Sequence, residues 1–247
     1  MKQYRAEIVS SLPPALGLVV LQSDETIEID FRGMLGRDTP FYVSRVPSAD
    51  QVTSDTLQSM AAHLTDAAAL FPRAARLACV GYGCTSATAQ IGAEQIAALV
   101  QRGVPTPAVT EPLSALIAAC GELGVSKLAF LSPYVASVAD RLRSALHERG
   151  VETPVFGSFD EAEEAKVVRI SAKSIMDSAC DLAAQGEAEA IFLSCTNLRT
   201  LDVIEPIEAK TALPCLSSNQ VLAWHMAKLA GATVAIPGRL GSGGWCS

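Results

Sequence analysis

Short apolar runs alternate along this chain with longer alanine-rich stretches of helical period. That alternation constrains the fold more than any other feature. Runs at Leu16–Leu21, Phe41–Val46, Leu77–Tyr82, Lys127–Leu131 and Ala190–Ser194 read as buried strands. Amphipathic stretches at Ser54–Leu70, Ala89–Arg102, Pro112–Leu123, Val135–Arg149, Val167–Gln185 and Ser218–Leu229 read as helices. Strands alternating with helices predict parallel βαβ units and an α/β fold. Gly103, Gly124 and Gly150 fall where helices should stop and are expected to serve as left-handed caps. The glycine-rich tail Gly238–Ser247 is expected to be irregular.

One long-range echo links the two halves. LACVGYGCTSA carries Cys84-Thr85 and AIFLSCTNL carries Cys195-Thr196, 111 residues further on, which is close to half the chain. In each, an apolar strand delivers Cys-Thr to its carboxyl end, just ahead of polar or small residues. The expectation is a duplicated half-fold with a pseudo-twofold axis. Open α/β sheets bind ligands at strand carboxyl ends, so two such ends facing each other would put both thiols in one cleft.

Composition removes several function classes. Hydrophobic residues make up 49% and charged residues 18%, so a sizeable core forms and disorder is not expected. The net charge is −7 and no Lys/Arg run is present, which argues against a nucleic-acid partner. No apolar stretch approaches the ~18 residues of a membrane helix. The opening MKQYRAEIVSSLPP lacks the apolar core of a signal peptide, so a cytoplasmic location and no membrane partner are expected. The cysteine count is seven, with no CxxC pair, which does not describe a disulfide framework. His63, His147 and His225 lack ligand spacing, and no metal or other cofactor is expected. Cys79, Cys120, Cys180 and Cys215 sit in apolar patterns and read as core. Cys246 has no assigned role.

Cys84 and Cys195 permit specific chemistry. A thiol at a strand end, next to a helix N-terminus, meets unpaired N–H groups that favour a thiolate or a bound carboxylate. Thr85, Ser86, Thr196 and Asn197 add side-chain donors. Such a cradle can hold a small carboxylate and stabilise an enediolate. One thiolate then removes an α-proton while the opposite thiol returns one. The same pair could instead add to a double bond, or protonate a carbanion left by decarboxylation. For each residue a plainer role exists. Asp24, Thr85 and Ser86 could be helix caps only, Tyr134 a packing residue and His225 structural. Tyr42 and Arg45, on the second strand, could reach the cleft or simply pack.

With these motifs on the page, the sequence resembles the aspartate/glutamate racemase superfamily, in particular its maleate isomerase, arylmalonate decarboxylase and ectoine-utilisation branch. The resemblance spans nearly the whole chain. It is carried by Leu16–Phe31, Val43–Asp50, GYGCTSATAQIGAE (Gly81–Glu94), Leu131–Leu142, FLSCTNLRTLDVIEPIE (Phe192–Glu208) and LSSNQVLAWH (Leu216–His225). It implies two pseudo-symmetric Rossmann-like lobes with parallel sheets and the active site in the cleft between them. Cys84 and Cys195 would be the catalytic pair. Thr85, Ser86, Tyr134 and Thr196 would bind carboxylate, and Asp24 and Asn197 would make further substrate contacts. The decarboxylase branch keeps only one of the two cysteines, so decarboxylation fits less well. Maleate isomerases carry Asn-Thr-Thr where Asp24-Glu25-Thr26 stands here. An asparagine donates to a dicarboxylate, whereas an ionised Asp24 would welcome an ammonium.

The expected organisation is a first lobe of residues 1–116 plus 222–247 and a second of 117–221. The expected function is cofactor-independent racemisation at the α-carbon of a small carboxylate or amino acid. Cis–trans isomerisation of maleate through Cys84 addition is the alternative, and it needs Asp24 neutral or turned away. An arylmalonate-type decarboxylase or a non-catalytic carboxylate sensor are further alternatives. A homo-oligomer is expected of a metabolic enzyme of this kind.

Overall fold

The structure is a computed structural model that describes residues 1–9 and 12–242. The first half runs β1 (Ala15–Leu21), α1 (Ile27–Met34), β2 (Phe41–Val46), α2 (Ser54–Ser59), α3 (Ala61–Ala68), β3 (Leu77–Gly83), α4 (Thr85–Ile91), α5 (Ala93–Gly103), β4 (Val109–Thr110) and α6 (Pro112–Leu123). The second runs β5 (Lys127–Ser132), α7 (Ala136–His147), β6 (Glu152–Ser158), α8 (Glu164–Val167), α9 (Ala172–Ala183) and β7 (Ala190–Leu193). It then continues through α10 (Ile204–Thr211), β8 (Cys215–Ser217), α11 (Ser218–Ala230) and α12 (Gly238–Gly241).

The strands form two four-stranded sheets, ordered β2-β1-β3-β4 and β6-β5-β7-β8, with every pairing parallel. The two orders are the same, strand for strand. Cys84 follows β3 and Cys195 follows β7, so both thiols leave the equivalent strand of their sheet. The inner strands are buried on both faces, which parallel sheets require because helices cover each side. In β1, Val19 and Leu21 point into one core cluster while Leu18 and Val20 point into the other. β5 and β7 alternate in the same way, with Leu131 and Leu193 on one side and Phe130 and Phe192 on the other. Each fully buried side chain of this size contributes about 1.5–3 kcal/mol.

Three strands escaped the sequence pattern. β4 and β8 are two and three residues long. β6 carries Pro154 and Gly157, which an edge strand tolerates and a central one does not. Helix boundaries also shift. The expected helix at 89–102 divides at Gly92, whose φ is 97°. The expected helix at 167–185 starts instead at α9, where the Ser171 hydroxyl accepts the Ser174 N–H. The start of the tail, expected to be irregular, forms α12, and its remainder with Cys246 lies outside the described residues.

Gly124 and Gly150 adopt positive φ values of 66° and 81°, as a left-handed cap demands. Gly103 does not. It is the last residue of α5, and a Cβ there would lie 2.2 Å from the Thr65 carbonyl oxygen and 2.8 Å from the Ala68 Cβ. The glycine is needed because α3 and α5 approach closely, not for its backbone angle. Gly103→Ala is therefore expected to destabilise the fold by about 1–3 kcal/mol, read as a lower urea midpoint with an unchanged slope. An unchanged midpoint would contradict this packing.

Candidate active site

β1 and β3 are neighbours in the first sheet, as β5 and β7 are in the second, and the chain departs from each pair in opposite directions. These are switch points, where open α/β sheets form crevices beyond their strand carboxyl ends. The loops after β1, β3, β5 and β7 bring Asp24, Cys84, Tyr134 and Cys195 together. The eight residues expected to form the site line one cavity: Asp24, Cys84, Thr85, Ser86, Tyr134, Cys195, Thr196 and Asn197. Leu21, Ser23 and Glu164 join them, and of these Glu164, at the start of α8, is the titratable one. Sequence reasoning missed it because it stands in the acidic run Asp160–Glu164, which looks like a solvated face.

Glu164 reaches the cavity because its loop is strapped across the cleft. The Val52 N–H donates to the Ala162 carbonyl (3.1 Å) and the Glu164 N–H to the Asp50 carbonyl (3.2 Å). Gln51 and Glu163 form an antiparallel bridge between them. The cavity under this strap is closed, with about 10 Å³ free, the lower limit for one water.

Ser218, at the start of α11, ties the two Cys-Thr turns together. Its hydroxyl oxygen accepts both Thr85 Oγ1–H (2.8 Å) and the Cys195 N–H (3.0 Å). Thr196 Oγ1 donates across the cleft to the Gly83 carbonyl (3.3 Å). Asn219 Nδ2 donates to the Thr196 carbonyl and to Asp30, both at 2.8 Å. The Asn197 carbonyl accepts Thr26 Oγ1–H (2.9 Å) and its side-chain oxygen the Glu25 N–H (2.9 Å). Cys195 is held at φ 121°, a region that side-chain-bearing residues avoid. Such a conformation costs about 1–3 kcal/mol and persists only where the surroundings over-determine it.

Cys84 caps α4: its Sγ accepts the Ala87 N–H at 3.3 Å. Cys195 Sγ accepts the Asn197 N–H at 3.3 Å and lies 3.0 Å from Tyr134 Oη. The N–H contacts were expected to favour thiolates. Desolvation outweighs them in the closed cavity. Burial pushes Cys84 up to about 12, with the Ala87 N–H pulling back and the Glu164 and Asp24 charges adding to the rise. Burial pushes Cys195 well above the thiol range, with Glu164 the next contributor.

Asp24 serves as a helix cap as well as lining the cavity. Its Oδ1 accepts the Thr26 and Ile27 N–H groups, both at 2.8 Å, and so caps α1. Its Oδ2 is buried with no hydrogen-bond partner, and burial raises its pKa. Glu164 differs: Oε1 accepts Tyr134 Oη–H (2.6 Å) and Oε2 accepts Asn197 Nδ2–H (2.8 Å). Burial raises it too, and Asp24 adds to the rise. Two carboxyls in one dry site do not both ionise readily. An unpartnered buried anionic oxygen is the costlier one, which favours the neutral form at Asp24 Oδ2 over Glu164, whose two oxygens both accept hydrogen bonds.

Arg45 does not line the cavity. It donates to the Leu21 and Asp24 carbonyls (2.9 and 3.0 Å) and pairs with Glu28, fixing the loop after β1. Tyr42 packs against the core. His225 is structural, with Nδ1 2.7 Å from Thr110 Oγ1 and its ring stacked on Trp224. With the Cys84 pKa near 12 in the closed state, iodoacetamide labelling of Cys84 in the ligand-free protein should rise tenfold per pH unit through the alkaline range. A plateau below pH 9 would contradict the desolvated site.

Comparison with known proteins agrees with this geometry. Residues 93–240, more than half of the chain, match the family model described as arylmalonate decarboxylase. The arylmalonate decarboxylase of Bordetella bronchiseptica is 30% identical over 111 residues, 44% of this chain and 46% of that protein. This chain thus aligns with less than half the length of that relative. The maleate isomerase of Nocardia farcinica is 24% identical over 241 residues, 90% of this chain and 92% of that one. Among solved structures, a maleate isomerase variant from Pseudomonas putida with maleate superposes with a TM-score of 0.82 at 20% identity, covering 95% of this chain and 99% of that one. A double mutant of arylmalonate decarboxylase in liganded form gives 0.82 at 25% identity, covering 92% and 98%. A cysteine variant of the Nocardia farcinica isomerase, with a covalently bound succinylcysteine intermediate, gives 0.79 at 19% identity, covering 92% and 97%. The chain belongs to the arylmalonate decarboxylase family, a group of cysteine-dependent enzymes within the superfamily its motifs resemble.

Proposed function

We propose that this protein is a cofactor-independent cis–trans isomerase acting on a small unsaturated acid of the maleate type. The observation that carries this reading is the pairing of two thiols in one closed cavity with a carboxyl, Asp24, that caps a helix through Oδ1 and whose Oδ2 has no partner. A protonated Oδ2 is a hydrogen-bond donor. It can offer a substrate carboxylate what an asparagine amide would. The end-to-end match to maleate isomerase supports the same reading, as does the succinylcysteine trapped in a protein of this fold. A succinyl thioether is what a thiol forms when sulfur and a proton add across the double bond of maleate.

The steps balance without any co-reactant. Both thiols are protonated in the closed site; the Cys84 proton passes to solvent when the site hydrates on substrate entry, which leaves one proton, on Cys195. Cys84 as thiolate bonds to one alkene carbon, and the electron pair moves to its neighbour and the adjoining carboxylate. The N–H groups at the start of α4 and the Thr85, Ser86 and Thr196 side chains meet that charge. Cys195 donates its proton to the neighbouring carbon. The former double bond, now single, rotates. Cys195 takes the proton back, the double bond re-forms as trans, and Cys84 leaves.

Racemisation at an α-carbon is the second reading, favoured by one observation: the Glu164 carboxylate faces the thiols and would suit an ammonium. Proton NMR in D2O with maleate and acidic amino acids separates the two. The expected result is conversion of maleate to fumarate, abolished in Cys84→Ala and slowed about 10²–10⁴-fold in Cys195→Ala. Deuterium entering the α-position of an amino acid, with maleate untouched, would establish racemisation instead.

Asp24 supplies a further check. As a donor it must be protonated, so kcat/KM for maleate should fall as pH rises through its raised pKa. Asp24→Asn, which keeps a donor at all pH values, should retain turnover and lose that alkaline fall. An inactive Asp24→Asn would favour the racemase.

A further inference from the structure

Three contacts in the cavity form a chain. Cys195 Sγ lies 3.0 Å from Tyr134 Oη. Tyr134 Oη lies 2.6 Å from Glu164 Oε1. Glu164 Oε2 accepts Asn197 Nδ2–H at 2.8 Å. A phenol has one proton to give. The shorter contact, to a carboxylate, is the stronger claim on it. Tyr134 then has only lone pairs left for Cys195, so the sulfur must be the donor and must carry its proton. No equivalent chain ends on Cys84. Its described partner is the Ala87 N–H, which suits a sulfur without a proton.

We propose that Glu164 is a positioning residue that, through Tyr134, keeps the remaining proton on Cys195. It thereby makes Cys195 the acid and leaves Cys84 as the nucleophile. The two strand ends are otherwise near-equivalent: each is a Cys-Thr turn on the same strand of its sheet, with an N–H at 3.3 Å from sulfur. Glu164 and Tyr134 break that symmetry. The titratable groups facing Glu164 are Asp24, Cys84, Tyr134 and Cys195. Asp24 favours its neutral form and caps α1. Lys166, two residues on, turns outward to Glu161 and Glu163. The Glu164 charge adds to the effect of burial at both thiols, so the asymmetry rests on the Tyr134 contact to Cys195 alone.

The inference rests on the two-thiol reading of the site, but its test needs no substrate, so it can fail while maleate turnover stands, or hold while turnover fails. The full chain is alkylated with iodoacetamide from pH 6 to 11, and the rate at each cysteine is read by peptide mass spectrometry. Glu164→Gln should shift the Cys195 profile down by about one pH unit, a roughly tenfold faster reaction at fixed pH, with Cys84 changing less than threefold. Cys79, pushed up by burial alone and outside the cavity, is the internal gauge of unfolding. Tyr134→Phe is the second variant. It removes the acceptor of the Cys195 proton, so Cys195 should again react faster. Were Tyr134 instead donating to the sulfur, its loss would slow the reaction. An unshifted or upward-shifted Cys195, an equal shift at Cys84, or a matching rise at Cys79 in both variants would overturn the assignment.

Discussion

The Ser218 hydroxyl is the joint on which the site depends. It accepts Thr85 Oγ1–H from the first sheet and the Cys195 N–H from the second. Losing it would leave two buried donors unsatisfied, each costing about 1–3 kcal/mol. Ser218 is fixed in turn because it opens α11, whose cap is a reciprocal pair between Ser217 and Gln220. α11 then runs back over β3 and α6, so one helix start sets the distance between the two strand ends. The unusual backbone of Cys195 is tolerable because Ser218 holds its N–H and the Thr196 turn is pinned by Asn219.

Desolvation, rather than helix dipoles, governs the chemistry in this closed state. The N–H groups at each sulfur are those expected of a thiolate cradle, yet both thiols are pushed upward by burial. The two carboxyls in the same space sharpen the effect, since Glu164 and Asp24 both add to the rise at each thiol. Opening of the lobes to admit a substrate would hydrate the site and ease the ionisation of Cys84. The Val52–Ala162 and Glu164–Asp50 contacts are among those that cross the cleft. They also hold Glu164 at the cavity.

The sequence was most legible where structure is repetitive and least where it depends on distant folding. Central strands are apolar on both faces and stand out from their surroundings, as β1 and β3 do. The edge strands β4, β6 and β8 are short or carry proline and glycine, and leave no such trace. Cys84 and Cys195 were visible because the same Cys-Thr pair recurs at the same strand end. Glu164 was not, because an acidic run looks alike whether solvated or folded over a cleft. The environment of Asp24 was not legible for a related reason: its identity is written in the chain, but the N–H groups that occupy Oδ1 and the burial of Oδ2 are not. Gly103 was read as a backbone device when its role is the close approach of α3, a contact made by residues more than thirty positions away.

The central claim is that Cys84 is the nucleophile and Cys195 its acid partner within one cavity. The most direct measurement is mass spectrometry of the Cys195→Ser variant after incubation with maleate. The account predicts a thioether adduct of one maleate on Cys84 and on no other cysteine, accumulating because the weakened acid–base partner slows its release. An adduct on a different cysteine, or none under conditions where the wild type turns over, would contradict it.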